Sequence, residues 1–246
     1  MMTTLEWLTL AVCCVALLLR VPDAVKGRNR TVFGILLLAT LCSLLAVSDV
    51  YVVIDRALGG RHVTSLILRY LVFATVLLVG LRITRGLAAT RGYSLIAGAT
   101  GRWALALCCL AVLATFLLID TTGASAGPQV PSDIGRNAAR APYYTAAGRT
   151  YPAFVSLVLL PPLLATVRSR QPRLVRAGAL LVLLGAVFAI LSLPVSLAPA
   201  AWAAGLRFVN YAAVLGYVAG LAVLWFSGLI SNPSGNAKTT LRRNDG

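Results

Sequence analysis

The chain has 246 residues, is 59% hydrophobic and carries 22 Lys and Arg against seven Asp and Glu, a formal net charge of +15. A mean hydropathy of +0.86 excludes an ordinary soluble domain. The cations are spread over short gaps between apolar runs, so the positive excess points to membrane topology and anionic lipid headgroups, not to nucleic acid.

A bilayer core about 30 Å thick takes roughly 20 apolar helical residues to cross. Seven stretches meet that need in chain order: 6–19, 31–54, 63–81, 103–120, 150–167, 175–197 and 205–230. None alternates apolar and polar positions as a membrane strand does, so helices are expected. The first stretch reaches full length only over 3–21; it has Glu6 in place of a basic leader and no small-residue cleavage site before Arg20, so it is expected to remain as a helix. The predicted fold is all-α, a polytopic membrane bundle of seven transmembrane helices over residues 1–230, with an outer loop at 121–150 and a short basic tail at 231–246.

Fifteen of the 22 Lys and Arg fall in alternate gaps: four each after the first, third and fifth stretches, and three in the tail. Six lie on the opposite side, and Arg69 lies inside the third stretch. Basic residues stay on the cytoplasmic side, which predicts an outer N-terminus and a cytoplasmic C-terminus in a multi-pass bacterial plasma-membrane protein. Arg outnumbers Lys 20 to 2, a bias that fits a high-G+C genome.

Motifs for catalysis or metal binding are missing. Cys13, Cys14, Cys42, Cys108 and Cys109 all fall in apolar stretches and read as small fillers at helix contacts. His62 is the single histidine, in a short outer loop, which argues against a His-based metal site or proton relay. Lys26 and Lys238 lie outside the helices, which excludes a retinal Schiff base. No cofactor or metal is expected.

Charged groups inside a bilayer are costly and are therefore functional candidates. Asp49 sits near the outer end of the second stretch and Arg69 near the outer start of the third, at similar depth on consecutive helices. They are expected to form an ion pair. Asp55, Arg56 and Asp120 read as solvated helix ends at the outer interface. Asp120, Arg207, Asn210 and Tyr211 could join Asp49 and Arg69 in one outward-facing polar cavity, the hypothetical binding site. Pro161 and Pro162 are expected to interrupt the fifth stretch, and Pro194 lies late in the sixth. In the outer loop, Ser132 or Asp133 can cap a short helix through Arg140, with Tyr143, Tyr144 and Tyr151 suited to the headgroup zone. The inner stretch 84–102 carries four glycines and reads as a mobile connection.

The string Val50-Tyr51-Val52-Val53-Ile54-Asp55-Arg56-Ala57-Leu58-Gly59 follows a basic first inner loop and precedes the third apolar stretch. Over roughly residues 5–230 the chain resembles the seven-helix membrane module of an actinobacterial family labelled as transporters. The resemblance implies a seven-helix fold and, through the label alone, transport. Relatives commonly continue into a cytoplasmic region after the seventh helix, whereas this sequence runs only about 16 residues further, so nothing is carried over from that region.

The first expectation for function is an accessory, sensor or assembly subunit of a membrane complex, without catalysis of its own. Its partners would be membrane lipids, anionic headgroups at the cytoplasmic face and a protein of that complex. The rivals are a small-solute or lipid transporter using the outward-facing cavity, and an intramembrane lipid-modifying enzyme, which would need several carboxylates converging near an interface.

Overall fold

A computed structural model of the chain describes residues 7, 10, 11, 13–15, 17, 18, 21, 30–119, 136–198 and 202–231. Among these the fold is all-helical, with no strand. In chain order come α1 (Arg30–Ala46), α2 (Ser48–Ala57), α3 (Val63–Gly86), α4 (Thr90–Ala97), α5 (Ala99–Leu117), α6 (Arg136–Arg168), α7 (Arg173–Val195) and α8 (Ala203–Ser231). Four helices are long and apolar enough to cross a bilayer: Val63–Gly86, Ala99–Leu117, Arg140–Arg168 and Arg173–Val195. A fifth crossing arises if α1 and α2 are taken as one bent span. The apolar part of α8 is shorter, Phe208–Leu224. Part of the expected first stretch lies outside the described residues; those described within it are helical. The chain is a helical, membrane-embedded protein.

Three local expectations change. The stretch 31–54 is not one straight helix, because α1 and α2 meet at 90°. Val47 at the break is extended (φ −69°, ψ 121°), and the Ser48-Asp49 pair that follows is of the type that starts helices. The bend leaves Val47 and Tyr51 fully buried. Residues 136–150, expected as outer loop, are the first turns of α6, a 33-residue helix that passes through Pro142, Pro152, Pro161 and Pro162 without ending. Prolines are tolerated in spans where neighbouring helices and hydroxyls compensate the lost donors. The Ser156 and Thr166 hydroxyls also donate one turn back to the carbonyls of Pro152 and Pro162, at 2.6 and 2.8 Å, contacts that help a helix to bend. The inner stretch 84–102 is mostly ordered as α4 and the start of α5.

The core gathers around α3, α5 and α6. Helices α3 and α6 run side by side in the same direction: Ser65 meets Tyr144, Arg69 meets Gly148, Phe73 meets Tyr151 and Gly80 meets Val155. Helix α5 returns against them. The Tyr70 hydroxyl donates to the Cys109 carbonyl at 3.2 Å, Phe116 tilts on Tyr144 at 5.9 Å, and Arg140 donates to the Leu118 carbonyl at the end of α5. That last contact places a cation on the negative end of a helix dipole.

Helices α7 and α8 form an antiparallel pair with nothing between their backbones at Gly185 and Gly216. A Cβ on Gly216 would meet the Gly185 Cα at 2.6 Å. Small residues at such crossings let spans pack without a hydrophobic driving force. A hydrogen bond of 2.8 Å between Ser156 and Tyr217 ties α8 back to α6. The five cysteines are free and half-buried. Cys13 lies 3.6 Å from the Ser43 hydroxyl and Cys42 lies 3.9 Å from that of Thr75.

Candidate functional site

The polar centre of the molecule lies where α2 turns into α3. Gly59 and Gly60 both take positive φ (94° and 66°), which their missing Cβ permits. His62 is also left-handed, at φ 55°, although it is fully buried. Asp55 holds this turn. Its carboxylate accepts from the backbone N–H of His62 at 3.2 Å and of Thr64 at 3.3 Å, the unpaired amides that open α3. The acidic group thus caps a helix from seven to nine residues upstream and complements the positive end of the α3 dipole. His62 Nδ1 lies 3.3 Å from the Tyr51 hydroxyl. The Tyr144 hydroxyl donates to Ser65 Oγ at 3.3 Å, linking the turn to α6.

One turn deeper sits Arg69. It lies six residues beyond Val63, roughly 9 Å into the helix at 1.5 Å per residue. Its Cζ stands 3.9 Å from the centre of the Tyr144 ring. One Nη lies against Gly148, in the space that a side chain there would fill. The Nε of Arg69 and an Nη of Arg149 are both buried and make no hydrogen bond among the described residues. The two guanidinium groups repel one another electrostatically. Two half-buried cations on α3 and α6 therefore lie within electrostatic range of one another, Arg69 against Gly148 and Arg149 on the next residue of α6, each with a donor left over. Such an arrangement can hold an oxyanion, because charged donors aimed together in a low-dielectric setting bind negative oxygen strongly.

The residues singled out from the sequence separate in the structure. Arg69 is at this centre, but Asp49 is exposed in the first turn of α2 and, among the described residues, no ion pair joins them. The reason is local: at the start of α2 the carboxylate of Asp49 already faces the positive end of a helix dipole. Asn210 is half-buried and Tyr211 exposed on α8, and among the described residues no hydrogen bond links either to Arg69. Asp120 and the side chain of Arg207 lie outside the described residues. Asp55, expected as a solvated helix end, is fully buried because it is bonded to backbone amides. His62 is buried in its loop for the same reason.

Arg149 was hidden from sequence reasoning because the region before residue 150 reads as loop. The signal for it was the run Ala146-Ala147-Gly148, small residues of the kind that let helices approach closely, placed directly before an arginine and one turn after Tyr144. Among the described residues no group of three His, Cys, Asp or Glu gathers to hold a metal ion. No family model, curated protein or solved structure matches this chain.

Proposed function

We propose that this chain is a multi-pass protein of a bacterial plasma membrane that works by binding an anion, as a carrier of a small anionic solute or lipid. The observation that carries the reading is the pair Arg69 and Arg149, two cations on membrane-spanning helices with buried donors left unpaired among the described residues. Charges held at such depth are costly and are retained where a partner neutralises them. In this reading seven helices cross the bilayer with the N-terminus outside. Eight exposed arginines support that orientation: Arg82, Arg85, Arg91, Arg102, Arg168, Arg170, Arg173 and Arg176 sit at one end of the helices, around the α3–α4–α5 and α6–α7 connections. The arginine pair then lies toward the outer leaflet.

The test is thermal unfolding of detergent-purified protein against a panel of anions at fixed ionic strength. A ligand that binds only the folded state raises its stability by mass action. At least one anion is expected to raise the midpoint in the native protein and to lose that effect in Arg69→Gln and Arg149→Gln. A panel that leaves every midpoint unchanged would remove the proposal. A second reading, an accessory, sensor or assembly subunit, is favoured by Asp55: this buried carboxylate within a bent span is engaged in fixing a turn, a structural role. Stoichiometric co-purification of another membrane protein would support it.

A further inference from the structure

The anion-binding reading extends to a ligand class, and that class rests on the reading itself. From the arrangement of Arg69, Arg149, Tyr144 and Gly148 we infer that the anion is a phosphate group carrying two negative charges, as a phosphate monoester or as free phosphate. Charge comes first. Two guanidiniums that repel one another are half matched by a carboxylate or a phosphodiester, each with one charge, and fully matched by a monoester, which carries about −1.5 to −2 near neutral pH.

Geometry comes second. Tyr144 covers one face of the Arg69 guanidinium, 3.9 Å from ring centre to Cζ. A stacked guanidinium keeps its N–H edge free, and that edge is the part that binds phosphate in two-point fashion. The buried, unpaired Nε belongs to that edge. Gly148 lets an Nη of Arg69 approach the α6 backbone one residue before Arg149, and the two guanidiniums lie within electrostatic range of one another. The Tyr144 ring is fixed in turn by its hydrogen bond to Ser65 and its contact with Phe116. Among the carboxylates nearest in the chain, Asp55 binds the amides of His62 and Thr64, and Asp49 is exposed at the start of α2.

Depth comes third. Arg69 lies six residues into the 24-residue α3, roughly 9 Å from its first residue and toward the end of the span instead of its middle. A lipid phosphate reaches this level from the leaflet and a free phosphate reaches it from the water.

The experiment uses the full chain in detergent, with inorganic phosphate followed by titration calorimetry and with phosphatidic acid, phosphatidylglycerol and succinate followed by native mass spectrometry. Phosphate or phosphatidic acid is expected to bind, at least tenfold more weakly in Arg69→Gln and Arg149→Gln. Lysine at either position is expected to fall between, since it keeps the charge and loses the fork. Tyr144→Leu, which removes the ring under Arg69 but no charge, is expected to bind several-fold more weakly, and Tyr144→Phe, which keeps the ring and loses its hydrogen bond to Ser65, to fall between it and the native protein. Circular dichroism identifies any variant that fails to fold, and the Lys and Phe variants keep the comparison decisive in that case. Binding of the monoester is expected to weaken from pH 7.5 to 5.5 as it passes its second pKa of about 6, and that of free phosphate to weaken from a somewhat higher pH. Sulfate, doubly charged throughout, competes without that dependence.

Retention of phosphatidic acid alone would name a lipid source, and binding of phosphate alone a soluble one. Succinate or phosphatidylglycerol binding as tightly as the monoester, with the same loss in the arginine variants, would overturn the phosphate assignment and leave an anion site standing. Binding of none of the four, or equal binding by native and Gln variants, would overturn both.

Discussion

At the residue scale, the identity of a charged group says less than what its backbone neighbours already supply. Asp49 and Asp55 stand six residues apart on one short helix. The first is at the start of α2, where the helix dipole stabilises it in the open; the second is buried because two amides of α3 reach it. Asp55→Ala removes the acceptor for both amides. Each of the two buried donors left unpaired costs about 1–3 kcal/mol, so a loss of about 2–6 kcal/mol is expected, read as a lower unfolding midpoint in detergent with helix content retained at low temperature. An unchanged midpoint would show that the turn holds without its carboxylate. Arg69 was legible as a candidate because an arginine inside an apolar run is conspicuous. Its partners were not, since the ring of Tyr144 and the gap at Gly148 come from a helix 75 or more residues downstream.

At the element scale, apolar length located the helices and failed at their joints. The runs at 63–81 and 175–197 correspond to α3 and α7 within a few residues. The bend at Val47 was hidden because its mark, the Ser48-Asp49 pair, reads equally well as a polar interruption inside one span. The early start of α6 was masked by Arg136, Arg140 and Arg149, which a loop would carry as readily as a helix end. Glycine spacing was the better guide to packing. Gly216 and Gly220 lie one turn apart on α8 and face Gly185 and Gly178 of α7 so closely that the backbones touch. Gly216→Leu is expected to force the two helices apart and lower the unfolding midpoint by several degrees, with Gly216→Ala giving a smaller loss. If Gly216→Leu unfolds like the native protein, close approach at that crossing does not support the bundle.

At the scale of the whole molecule, the charge pattern carries the topology. The eight exposed arginines at one end are set against Arg56, Arg61 and Arg140 at the other, and this asymmetry could be read from the sequence before any helix was placed. The proposed orientation predicts the outcome of labelling. In a background with the five native cysteines replaced by alanine, Arg61→Cys in intact cells is expected to react with a membrane-impermeant thiol reagent, and Arg91→Cys only after lysis. The reverse pattern would invert the topology and place the arginine pair toward the cytoplasm. The convergence of α3 with α6, in contrast, was not legible: two parallel helices that are distant in the chain meet through shape and one polar contact, and neither leaves a periodic trace.

The partnership between Arg69 and α6 also sets an order of events in biogenesis. The Asp55 turn closes on contacts seven to nine residues apart and can form as soon as that hairpin leaves the ribosome. Tyr144 and Gly148 are translated 75–79 residues after Arg69, a delay of roughly 4–16 s at 5–20 residues per second. For that interval α3 holds a cation without its aromatic cover, so its long side chain must reach back toward the headgroups near the turn. In the proposed orientation the turn fixed by Asp55 would hold the arginine within reach of that surface until α6 arrives.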